Sequence, residues 1–108
     1  MRWYHYIAYF FGGAFLANTV PHLVNGISGN SFQSPFASPP GVGESSAIVN
    51  VAWGFLNLAI GGVLVHFFLR GEMPPPWDAL VVALTGGLAI SLHLARHFSK
   101  VRSAAPHP

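Results

Sequence analysis

Six histidines stand in a chain that carries only five Lys/Arg and three Asp/Glu. Imidazole is therefore the main source of chemistry. Neutral imidazole ligates iron, zinc and copper, and its two nitrogens let it accept at one edge while donating at the other. His93 and His97 are four residues apart, as are Asn18 and His22. Each pair shares a face if its segment is helical. The spacing of His93 and His97 is that of a zincin helix, but Leu94 stands where the glutamate would be. There is no cysteine, which excludes disulfides, thiolate metal sites and cysteine nucleophiles. A phosphate loop, a nucleophile elbow and a dinucleotide fingerprint are all missing from the sequence. The reading leans away from an enzyme. The few cations are too scattered for a nucleic-acid stripe, so nucleic acid is not an expected partner.

The elements that must hold these histidines are membrane helices. Charged residues make up 7% of the chain, against about 25% in a soluble domain. Three stretches reach the roughly 20 apolar residues that a bilayer crossing needs: about 3–24, 47–69 and 77–95. Trp3, Tyr4, Tyr6 and Trp77 suit an aromatic belt. The expected fold is all-α, a polytopic membrane protein with three transmembrane helices in a small bundle. It forms one domain over 1–98, with an ordered loop at 25–45 and a polar, fraying tail at 99–108. The first stretch is too long and aromatic for a signal peptide. Pro21 and the pair Asn25-Gly26 are expected to close the first helix. Ser45 and Ser46 are expected to cap the second. Gly71 and Pro74–Pro76 separate the second from the third, where Asp78 suits the helix start. The termini fall on opposite sides. The cations near the tail favour a cytoplasmic C-terminus, while Arg2 and the uncharged first loop favour the reverse.

On this layout the histidines form two layers. His5 and His66 lie near one face of the bilayer. His22, His93 and His97 lie near the other, beneath the first loop. One reading makes His22 and His93, with His97 and Asn18 nearby, ligands of a metal or of haem b, since a bis-histidine haem needs imidazoles facing each other from two helices. The other makes them interfacial groups that hydrogen-bond to backbone and headgroups. Phe32 and Phe36 are expected to supply an apolar lid from the loop. His107, in the tail, has no assigned role.

Helix packing is legible from small residues and amides. Asn50, Trp53, Gly54, Asn57 and Gly61 form one stripe on the second helix. Gly54 and Gly61 are expected to face another helix closely. Ala52, Ala59, Gly62 and His66 form a second stripe. Two stripes imply contacts on two sides and make the second helix the expected centre of the bundle. Asn18, Asn50 and Asn57 need partners in hydrocarbon, which suggests a homo-oligomer or a larger membrane complex besides the lipid bilayer.

Asn18, Pro21-His22, Asn25-Gly26, Phe32, Pro35-Phe36, Pro39-Pro40-Gly41 and Ser45-Ser46 leading to Asn50 form a string. It resembles the loop signature of a family of small, uncharacterised bacterial inner-membrane proteins. The resemblance implies a bacterial inner-membrane, multi-pass setting and carries no activity, substrate or cofactor. Three functions remain in play: an accessory or structural membrane subunit, a haem- or metal-binding redox protein, and a small oligomeric transporter or channel.

Overall fold

The computed structural model describes residues 3–69 and 76–104. Three helices dominate: α1 at Trp3–Ile27, α2 at Ala47–Leu69 and α3 at Trp77–Ala104. Each is long and apolar enough to cross a membrane. The architecture is the expected all-α bundle. A two-stranded hairpin interrupts the first loop, with β1 at Phe32–Gln33 antiparallel to β2 at Glu44–Ser45. Gly71, Pro74, Pro75, Arg70, His107 and the rest of 105–108 lie outside the described residues.

The helices run up, down and up. Tyr6 near the start of α1 donates to Asp78 at the start of α3 (2.8 Å), so these two are parallel. Gly26 near the end of α1 sits against Ala47 at the start of α2, so these two are antiparallel. The start of α1 and the end of α3 thus lie at opposite ends of the bundle. The Tyr6–Asp78 bond is exposed and competes with water. Tyr6→Phe is expected to shift thermal unfolding in detergent only slightly. A loss of the fold would mean that this contact organises the whole end of the bundle.

The central helix is α1, which corrects the expectation that α2 would be. α1 packs along both neighbours, whereas α2 and α3 barely touch. The cause lies in the pair Gly12-Gly13. Successive helical residues point about 100° apart, so the two glycines open two different faces. A methyl at Gly12 would reach Val65 and Leu64 of α2, and one at Gly13 would collide with the Ala83 carbonyl of α3. On α2 only one stripe is used. A methyl at Gly54 would meet Leu23 at 3.0 Å and one at Gly61 would meet Leu16 at 2.7 Å, so both face α1 as expected. The second stripe is open. Ala52, Ala59 and His66 are exposed, and nothing lies within 4 Å of a methyl built on Gly62. That face packs against neither α1 nor α3.

Two helix ends differ from expectation. α1 runs through Pro21 and stops at Gly29, whose φ of 80° and bond to the Gly26 carbonyl terminate the helix. Asn25 Nδ2 donates to the Pro21 carbonyl (2.7 Å). Gly26 is not a turn residue. It is buried because any side chain there would strike Val51 and the Ala47 carbonyl. The third helix also runs past its expected end at 95, because α3 continues to Ala104. At about 1.5 Å per residue its 28 residues span about 42 Å, more than the roughly 30 Å hydrocarbon layer. The excess stands beside the hairpin, with Phe98 edge-on to Phe32 at 4.8 Å. Ser46 behaves as expected and caps α2 by accepting from the Val49 N–H.

Candidate functional site

Because α2 and α3 splay apart on α1, a cleft opens between them under the hairpin. Its upper part is a cavity of ≈ 250 Å³. α1 contributes Asn18 and His22, α2 contributes Trp53, α3 contributes His93, His97 and Phe98, and the loop contributes Gln33–Pro35 and Gly41. The four residues singled out in the sequence, Asn18, His22, His93 and His97, therefore converge on one cavity. A second cavity of ≈ 340 Å³ shares Asn18, Trp53, His93 and Leu94 and continues along the helices past Phe11, Phe15, Asn57 and Ile90.

His22 is the best-held member. It is 3% exposed, and its Nδ1 lies 2.8 Å from Asn50 Oδ1. Asn50 settles the tautomer. Its Nδ2 sits 3.0–3.1 Å from the carbonyls of Phe32, Ser45 and Ser46. An amide oxygen there would face three acceptors, so the nitrogen belongs there and Oδ1 faces the histidine. Carbonyl-type oxygen only accepts, so His22 Nδ1 carries the proton and Nε2 keeps its lone pair. The bond fixes the tautomer and the orientation of the ring, as a carbonyl partner does for metal-ligating histidines. Asn18, one helical turn from His22, has no bond to it. Its Nδ2 donates instead to Asn57 Oδ1 (2.9 Å), while Asn57 Nδ2 donates to the Trp53 carbonyl (2.8 Å).

Asn50 and Asn57 are both 0% exposed and satisfied within one chain. The amides therefore do not by themselves demand a second subunit. Asn50, in particular, is consumed in tying α2 to the loop and to His22 and does not line an open path.

His93 and His97 stack on α3, with ring centroids 6.4 Å apart and planes 12° from parallel. His97 Nε2 and the Gly41 carbonyl lie 2.6 Å apart, which pins the loop to α3. His93 is exposed and has no hydrogen bond among the described residues. The two phenylalanines part company. Phe32 is buried edge-on to His22 at 5.6 Å. Phe36 is 64% exposed and rests on Trp53 at 5.1 Å. The loop's lining of the cavity comes from their neighbours Gln33, Ser34 and Pro35. His5 and His66 occupy the other end. Among the described residues no group of three histidine or acidic side chains is placed to hold a metal ion.

Two members were missed from sequence. Trp53 Nε1 and Gln33 Oε1 are buried without a hydrogen-bond partner, and both residues line the upper cavity. Trp53 belonged to the packing stripe of α2, and nothing marked it as polar lining. Gln33 had no visible signal, because only the hairpin fold turns it inward. An unsatisfied polar atom in a folded chain is costly, about 1–3 kcal/mol each. Two beside one cavity call for partners that the described residues do not supply, whether water or a bound molecule.

No known protein family, curated protein or solved structure matches the chain.

Proposed function

We propose that the protein is a multi-pass accessory protein of a bacterial inner membrane that binds a small ligand in the loop-capped cleft between α2 and α3. The observation that carries this reading is the meeting of Asn18, His22, His93 and His97 around one cavity bordered by two unpartnered polar atoms. Binding rather than turnover is supported by the lining, in which no carboxylate, lysine or hydroxyl–histidine pair is found among the described bonds. The exposed apolar faces of α2 and α3 are the surfaces available to a second copy or a larger complex.

A haem or metal role is the second reading, and the His22 tautomer favours it, because a ligating histidine donates its remote N–H to a carbonyl and binds with the other nitrogen. One paired experiment addresses both readings. The protein is purified in mild detergent, its visible spectrum and metal content are recorded, and a solvent extract is examined by mass spectrometry. The same is done with His22→Ala and His93→Ala. The expected result is a co-purifying molecule in the wild type that is depleted in the variants. A colourless, metal-free, ligand-free wild type, with variants that fold equally well, would leave these histidines as interfacial groups.

A further inference from the structure

The chemistry of the cleft narrows the ligand class, on the reading that the cleft is a ligand site. Three properties decide it. The first is charge. No Lys, Arg, Asp or Glu lines either cavity, so a phosphate headgroup or a carboxylate would enter without a counter-charge and lose its hydration. The occupant is neutral.

The second is hydrogen-bonding sense. Two residues that line the upper cavity carry an unmet polar atom, the Trp53 Nε1–H donor and the Gln33 Oε1 acceptor. His22 Nε2 adds an acceptor, and the imidazole of His93, without a hydrogen bond among the described residues, adds one donor and one acceptor. A group that only accepts leaves the acceptors unpaired. A hydroxyl donates and accepts, and two hydroxyls on one ring serve both needs.

The third is size and shape. A cavity of about 150 Å³ takes a benzene, so ≈ 250 Å³ takes one substituted ring. A haem has four pyrrole rings and needs several times a benzene's space. The lining is flat-sided, with Trp53, Phe98 and three imidazoles. The lower cavity then continues between apolar side chains such as Phe11, Phe15 and Ile90, a path for a hydrocarbon tail toward the bilayer.

We infer that the cleft binds a neutral, lipid-soluble dihydroxy-aromatic compound of the quinol class, with its ring under the hairpin and its tail between α2 and α3. One hydroxyl donates to His22 Nε2 or Gln33 Oε1, and an oxygen of the ring accepts from Trp53 Nε1–H. The site holds the reduced form more tightly than the quinone, whose two carbonyls only accept. Binding alone is inferred; no electron or proton is transferred.

The test uses the full chain in detergent, kept anaerobic, and a decyl-tailed benzoquinol with its quinone as probes. Calorimetric titration is corrected for partition into empty micelles. Saturable binding of the quinol is expected, at least about tenfold tighter than the quinone, the effect of about one unmade hydrogen bond. Gln33→Leu supplies the decisive variant. It removes an unsatisfied buried oxygen, so thermal stability holds or rises, yet quinol affinity falls about tenfold. His22→Ala weakens binding in the same direction. Equal, non-saturable partition of both forms into the wild type and Gln33→Leu would overturn the inference. A Soret band from the purified protein, or an acyl chain alone in the solvent extract, would overturn the quinol class while leaving the ligand-site reading standing. A wild type that retains no molecule and binds neither probe would remove both.

Discussion

A single methyl group at Gly13 or Gly86 is expected to loosen the bundle more than any other substitution of that size. Gly13 faces the backbone of α3 at Ala83, and Gly86 faces the backbone of α1 at Phe10; in each case an added methyl overlaps a carbonyl group. A flexible side chain can swing away, but a carbonyl in a hydrogen-bonded helix cannot. The two helices must part, losing packing that lipid replaces poorly. Overpacking usually costs about 1–3 kcal/mol, and backbone against backbone belongs at or above the top of that range. Replacing glycine by alanine otherwise favours a helix by roughly 0.5–1 kcal/mol. Gly62→Ala provides the reference, since open space lies beside Gly62. It is expected to be neutral or slightly stabilising, while Gly13→Ala and Gly86→Ala lose about 2 kcal/mol or more. Reversible unfolding in mixed micelles measures the difference. The same scale for all three would show that α1 and α3 are not in close contact. Larger residues separate the faces further: Gly54→Leu and Gly61→Leu push α1 from α2, whereas Gly62→Leu meets nothing.

The three spans were legible because lipid imposes a simple rule on composition and length. The register of helix starts was equally visible at Ser46 and Trp77. What could not be read was which helix lies in the middle. Glycine pairs occur on all three spans, and a pair signals two close approaches only when both neighbours exist. Gly12-Gly13 meets two helices, while Gly61-Gly62 meets one. The sequence of α2 alone does not distinguish these cases. The Asn25-Gly26 pair misled for a related reason. A glycine required for packing and a glycine required for a turn are the same residue, and the turn lies three residues later at Gly29. The span boundaries put Asn18, His22, His93 and His97 at one membrane level, and all four line one cavity. Its wiring was not visible. The amide that orients His22 is 28 residues away on another helix, whereas the amide nearest in sequence, Asn18, bonds Asn57. Gln33 turns inward only once β1 pairs with β2.

Asn50→Leu is expected to uncouple the cap from the bundle. This one amide joins three parts of the molecule. Nδ2 holds Phe32 in β1, Ser45 in β2 and Ser46 at the start of α2, and Oδ1 holds His22 on α1. Leucine has similar volume but strips this partner from the His22 N–H and from the carbonyls of Phe32 and Ser45. The Ser46 carbonyl still accepts from the Asn50 position's own backbone N–H, so the helix start survives. The two buried groups, on His22 and Phe32, at about 1–3 kcal/mol each, with the part-buried Ser45 carbonyl adding less, set a loss of about 2–4 kcal/mol after partial rearrangement. The loss is local before it is global. Backbone exchange over 30–45 should rise, and a protease should cut the loop near Phe36, whose side chain is already exposed, while the spans stay protected. Asn50→Asp is the sharper variant. It keeps the acceptor for His22 but replaces the donor with a second acceptor facing three carbonyls, so it should free the loop at least as completely as leucine. Freeing Nδ1–H of His22 in the leucine variant also releases the imidazole to turn, so any ligand held at Nε2 should dissociate faster there than in Asn50→Asp. Hydrogen exchange resolved along the chain separates these outcomes. Uniform protection of the loop in both variants would show that the hairpin and the His97–Gly41 contact hold the cap without Asn50.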